Sequence, residues 1–165
     1  LLRLQARADN VDPKKALGDS VNRILAIAAV HEVLTEHRED DVELDELVDR
    51  LRAMLVQGLV AGTEVTSDLE PVPLAGQRAT SLALVFSELL GNALEHGGSH
   101  ISITLRERDG DVVLAIADDG DGMQAAADGT GLSIVRALVR DELGGELSLV
   151  DESGLRAEVR FPAHA

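Results

Sequence analysis

The chain has 165 residues, 45% apolar and 27% charged, with a formal net charge of −15 and no cysteine. That length allows one good core with a small helical appendage. The acidic balance excludes direct nucleic-acid binding, which needs a basic patch, and the missing cysteine excludes disulfides and thiolate metal sites, which fits the cytoplasm. No apolar run approaches the roughly 20 residues that span a bilayer, so no membrane contact is expected.

Residues 1–8 read as the end of a helix, and residues 9–13 as a turn. Asp12 is the N-cap and Pro13 the first residue of a helix expected over 13–37. Leu17, Val21, Ile24, Ala28 and His31 follow at alternating steps of four and three, an a/d seam that implies bundle packing. Arg38-Glu39-Asp40-Asp41 is a charged break and the expected domain boundary. An amphipathic helix follows, burying Leu44, Leu47, Val48, Leu51, Leu55 and Leu59 and ending near Gly62. Residues 64–69 read as a strand and 71–74 as a connection. A long helix is expected over 76–96, stopped by Gly97-Gly98. Residues 100–107 alternate, with Ile101, Ile103 and Leu105 inward, and Asp109-Gly110 signals a hairpin into a strand at 112–117. After a glycine- and alanine-rich loop, a helix is expected over 130–143. A final hairpin pairs 147–149 with 155–161. The pattern predicts an α+β chain: a helical hairpin over 1–38, part of a helical bundle, then a two-layer α/β sandwich over 42–165. Its sheet should be mixed and mostly antiparallel, with helices on one face.

Three polar motifs interrupt this apolar frame. Glu88 and Asn92 lie four residues apart on the long helix, with His96 a further turn along. An Asn oxygen is a hard ligand suited to magnesium, and a nearby carboxylate can orient a nucleophile. Asp118, Gly120 and Gly122 form a DxGxG at a strand end. A carboxylate there can accept a hydrogen bond from the amino group of adenine, while glycine lets the backbone approach the base. Gly129-Thr130-Gly131-Leu132 opens a helix, whose N–H groups and dipole favour anions. Each motif alone is ordinary: polar residues on a solvated helix face, a strand-end turn, a threonine cap. Their joint occurrence within about 45 residues reads as a site for Mg-ATP or ADP, with the intervening loop a lid that nucleotide orders.

In order and spacing these motifs resemble the N, G1 and G2 boxes of the GHKL ATPase superfamily, which includes histidine kinases, gyrase and Hsp90. Residues 1–7 (Leu-Leu-Arg-Leu-Gln-Ala-Arg) and 23–34 resemble the dimerisation and phosphotransfer region of HWE and HisKA type-two sensor kinases. The resemblance implies a catalytic core that binds ATP and Mg²⁺ and transfers the γ-phosphoryl group to a histidine, then to the receiver domain of a response regulator. It implies a homodimer through the hairpin. It gives Glu88 and Asn92 the catalytic roles and Asn92 the metal. To the nucleotide it assigns Asn92, His96, Asp118, Gly120, Gly122, Met123, Gly129, Thr130, Gly131 and Leu132. In that family the phosphorylated histidine precedes the segment matched at residues 1–7, so the acceptor is expected upstream of Leu1. His31-Glu32 superficially resembles an acceptor motif, but its place on the seam predicts a packed imidazole. One departure concerns charge: Glu95 stands where many histidine kinases carry lysine. The alternatives are a GHKL serine kinase of anti-sigma-factor type and a non-catalytic dimerisation module.

Overall fold

Asp12 caps the first helix, its carboxylate accepting the Lys14 N–H at 3.0 Å. The computed structural model describes residues 12–36, 41–57, 62–122 and 130–164; the expected helix over residues 1–8 lies outside them. Helix α1 (Pro13–Glu36) has two apolar faces. Its small residues Ala26 and Ala29, with Val30, are buried, and the helix packs on the long helix α3 (Gly76–His96). The expected bundle seam does not make this contact. Leu17 is 67% and Ile24 65% exposed, Val21 is exposed too, and His31 lies with them in solvent. Alanines let two helix backbones approach closely, so the small-residue face meets α3 and the large-residue stripe turns outward.

Strand β1 (Asp41–Glu43) pairs antiparallel with β3 (Pro73–Ala75), setting Val42 against Leu74, both fully buried. The sequence reading had a charged break and a connection at these places. This ribbon brackets α2 (Leu44–Val56), which buries Leu44, Leu47, Val48 and Leu51 as its apolar spacing demands. The expected extension to Leu59 falls on residues outside the described set.

The main sheet has the order β2-β4-β5-β7-β6. Strand β2 (Glu64–Leu69) runs parallel to β4 (His100–Arg108). The other pairs, β4 with β5 (Asp111–Asp118), β5 with β7 (Leu155–Pro162) and β7 with β6 (Glu146–Asp151), are antiparallel. The mixed, mostly antiparallel sheet is therefore as expected. Ile101, Ile103, Leu105, Leu114, Ile116, Val159 and Phe161 form its buried face, joined in one core to Leu82, Val85, Phe86 and Leu90 of α3. Helix α4 (Thr130–Ala137) passes into a single π turn, Leu138–Glu142, where the Leu143 N–H donates to the Leu138 carbonyl at 3.1 Å. The sequence pattern predicted an uninterrupted α-helix here.

Arg78 ties the two layers together. Its guanidinium donates to the carbonyls of Ala163 at 3.0 Å, Leu143 at 3.0 Å and Pro162 at 2.6 Å. It also lies 5.3 Å from the Phe161 ring centre. One side chain at the start of α3 thus fixes the ends of β7 and the π turn.

Candidate functional site

The C-terminal half of α3 lies across the end of β5, and the contact is made backbone to backbone. A Cβ on Gly97 would overlap the Ala93 carbonyl and lie 2.9 Å from the Asp118 Cβ. One on Gly120 would overlap the His96 carbonyl and lie 2.7 Å from the Gly97 backbone. The DxG turn therefore sits directly on the end of α3, which only residues without side chains permit. Asp118 Oδ1 accepts the N–H groups of Gly120 at 2.9 Å and Leu155 at 3.3 Å. Its carboxylate is thereby oriented, with acceptor capacity to spare. Asp119 faces the other way. It accepts the N–H groups of Ser99 and His100, both at 2.8 Å, and the Ser99 hydroxyl at 2.9 Å. The His100 N–H foremost, with the Ser99 hydroxyl, holds this carboxyl below the usual carboxylate range. Asp119 is a clamp on the turn, not a ligand for a base.

Under this turn lies a pocket with a largely apolar lining from Leu89 and Ala93 of α3, Ile116 of β5, Leu132 of α4, and Leu155 and Ala157 of β7. Asn92, His96 and Asp118 supply its polar edge, and Gly122 part of its rim. Its apolar lining and oriented carboxylate are the two kinds of group that recognise an adenine-like base. A second, more polar cleft opens between α1 and α3, bordered on the α3 side by Ser87, Glu88, Gly91, Asn92 and Glu95. Asn92 borders both cavities, Glu88 only the polar one and His96 only the apolar one. The single helix face expected for Glu88, Asn92 and His96 is thus divided between two cavities that meet at Asn92.

Gly131 stands at the start of α4, buried, where a Cβ would overlap Glu88 Oε1. The carboxylate therefore rests against the N-terminal turn of this helix, where the macrodipole favours negative charge. The glycine was read as a backbone donor to phosphate; the fold shows that it also makes room for Glu88. Gly122 adopts φ +71°, and a Cβ there would lie 2.5 Å from the Asp151 carboxylate. Leu132 lines the apolar pocket. Thr130 opens α4, but its side chain lies outside the described set, as do Met123, Gly129 and the lid at 123–129.

The sequence reading missed Leu89, Ala93, Ile116, Leu155 and Ala157. The first two fall at i and i+4 on α3, a spacing that marks one helical face. They were indistinguishable there from core positions. Gly97, read only as a helix stop, is part of the site's scaffold. Neither Arg136 nor Arg140, the basic residues of α4 and its π turn, is among the described residues lining the two cavities. Arg140 instead pairs with its neighbour Asp141 at 2.6 Å.

Residues 77–165, more than half of the chain, match the family described as histidine kinase-, DNA gyrase B-, and HSP90-like ATPase. The chain belongs to this ATPase family. Residues 1–59 match a second family, described as histidine kinase. The chain is 37% identical over 182 aligned positions to the sensor histidine kinase PdtaS of Mycobacterium tuberculosis. That alignment covers 98% of this chain and 36% of PdtaS, so the chain spans about a third of that relative's length. Among solved structures it is similar to the histidine kinase domain of the Erythrobacter litoralis EL346 blue-light activated histidine kinase. The TM-score is 0.79 at 21% identity, over 88% of this chain and 75% of that one. It is also similar to the ATP binding domain of PrrB from M. tuberculosis, with a TM-score of 0.63 at 22% identity, over 76% of this chain and 97% of that one. ATP binding goes with this histidine kinase-type ATPase fold. Among the described residues, no helix is long and apolar enough to cross a membrane.

Proposed function

We propose that this histidine kinase-family chain binds Mg-ATP with adenine in the apolar pocket and the phosphates running past Asn92 toward the polar cleft. The observation that carries the reading is the position of Asn92 on the border of both cavities. Asp118 accepts the adenine amino group, and His96, Gly122 and Leu132 enclose the base. Gly120, with Gly97, holds the turn against α3, and the start of α4 at Thr130 and Gly131 faces the phosphates. Among the described residues no group of three or more His, Asp or Glu could hold a metal on its own. Magnesium needs none here, because it keeps waters and takes phosphate oxygens beside a single oxygen donor such as Asn92. When bound, it neutralises phosphate charge.

The chemistry asked of the protein is positioning and electrostatics. An imidazole nitrogen of the acceptor histidine attacks the γ-phosphorus. The bond from phosphorus to the bridging oxygen breaks, and ADP leaves with the electron pair. Glu88 orients the incoming imidazole and takes its proton. The phosphoryl group then passes to an aspartate of a receiver domain on a response regulator.

His31 is not the acceptor in this reading. It is exposed, and lies nine residues, about 13 Å of helix rise, beyond Asn22, which borders the cleft from α1. Its exposure overturns the expectation of a packed imidazole, so the argument rests on distance. Incubation with radiolabelled ATP tests the reading. In a chain extended upstream to include the acceptor histidine, acid-labile label should persist in His31→Gln and disappear in Asn92→Ala. Label lost in His31→Gln would make that residue the acceptor, and acid-stable label would favour a serine kinase.

The outward stripe of Leu17, Val21, Ile24 and Ile27 supports a homodimer through α1. Light scattering of the wild type should give the mass of a dimer, and Leu17→Glu with Ile24→Glu the mass of a monomer. A wild-type monomer at micromolar concentration would contradict the assignment.

A further inference from the structure

Helix α1 contributes to the polar cleft as well as to the core. The cap residue Asp12 and, at steps of four along α1, Lys14, Gly18 and Asn22 border it opposite Glu88 and Asn92. The approach is close: a Cβ on Gly91 would lie 3.3 Å from Asn22 Nδ2. Glycine inside a helix is less favourable than alanine. At Gly91 that cost accompanies the close seating of α1 on α3. Ser87, on the α3 wall of the cleft, is only 2% exposed, and its hydroxyl has no hydrogen-bond partner. A buried hydroxyl left unpaired is unfavourable and calls for a polar occupant beside it.

The charges around the cleft narrow the kind of occupant. Asp12, Glu88 and Glu95 are acidic, and among the described lining residues Lys14 is the only base. A bare anion is repelled by three carboxylates, whereas a phosphate that brings its own divalent cation is not. Arg140, the basic residue of the π turn, is engaged by Asp141. Lys14 also sits in the first turn of α1, where helix N–H groups and the macrodipole favour negative charge.

We infer that Lys14 is a phosphate-binding residue: its ammonium, with the Ser87 hydroxyl, receives the terminal phosphate of Mg-ATP, so that triphosphate but not diphosphate joins α1 to α3. This rests on the nucleotide reading above and adds a second layer to it. The adenine pocket recognises any adenine nucleotide, and the cleft under α1 distinguishes ATP from ADP. The nucleotide site is then shared between the phosphotransfer helix and the ATPase fold, and loss of the terminal phosphate loosens α1.

Calorimetry with Mg-AMP-PNP and Mg-ADP on the whole chain tests this, using wild type, Lys14→Ala and Lys14→Arg. Lys14 is exposed, so neither substitution disturbs the core. Lys14→Ala should weaken AMP-PNP at least about tenfold, the loss of one charge-assisted hydrogen bond. It should leave ADP within about twofold, and Lys14→Arg should restore most of the difference. Equal affinity of wild type and Lys14→Ala for AMP-PNP would overturn the inference while leaving the adenine pocket intact. Equal weakening of both nucleotides would overturn it too, as a general field effect. Failure of the wild type to bind either nucleotide would instead remove the nucleotide reading on which the inference depends.

Discussion

Asn92→Ala is expected to lower Mg-ATP affinity by at least about a hundredfold while leaving the thermal midpoint nearly unchanged. Asn92 is half-buried at the junction of the two cavities and forms no part of the apolar core. Among the described residues it alone lines both cavities, so its removal takes away the uncharged side-chain oxygen at their junction. Two polar contacts of roughly 1.5–3 kcal/mol each account for that loss. Asp118→Asn should act differently. The amide still accepts from Gly120 and Leu155, so the turn survives, but the charge that would strengthen the proposed bond to the adenine amino group is gone. Discrimination of adenine from guanine nucleotides should fall more than affinity does. Titration calorimetry of both variants with ATP and GTP checks this, and unchanged ATP binding in Asn92→Ala would remove Asn92 from the site.

Gly120→Ala carries the largest expected effect on stability. The added methyl meets the His96 carbonyl and the Gly97 backbone, not the end of a flexible side chain. Neither neighbour can yield without moving the end of α3 away from β5. Overpacking of this kind costs about 2–3 kcal/mol, a fall in Tm of roughly 4–12 °C for a chain of this size. Nucleotide binding should be lost with it, because Asp118 and Asn92 are held on opposite sides of that contact. Gly110→Ala provides the comparison. Gly110 has φ +85° and open space around it, so the substitution meets only backbone strain of about 1 kcal/mol. Thermal denaturation of the two variants separates the mechanisms. Equal midpoints would show that the α3–turn contact is not tight.

The bounds of α3 were readable because Gly97 and Gly98 follow a long apolar repeat, and β4 because its apolar residues alternate without a break. Both signals are local. The β1–β3 ribbon was not readable, since each strand has three residues, one includes a proline, and they pair across thirty positions. Its stability comes from burying Val42 and Leu74 together, which no local window shows. Helix α1 was readable as a helix but not in orientation. With apolar residues on both sides, periodicity alone could not decide which stripe meets α3, and the alanine face won because it packs closer. That choice turned His31 outward and brought Lys14 to the cleft. The motif glycines were legible as turn formers, but the Gly120–Gly97 approach and the Gly131–Glu88 contact depend on chain crossings between distant segments.

The most direct test of the account is a crystal structure of this chain with Mg-AMP-PNP. The account predicts the adenine amino group within hydrogen-bond distance of the Asp118 carboxylate, the base against Ile116 and Leu132, the Asn92 side-chain oxygen on the magnesium, and the terminal phosphate facing Lys14. A nucleotide bound elsewhere, or bound here with its phosphates directed away from Asn92, would contradict it.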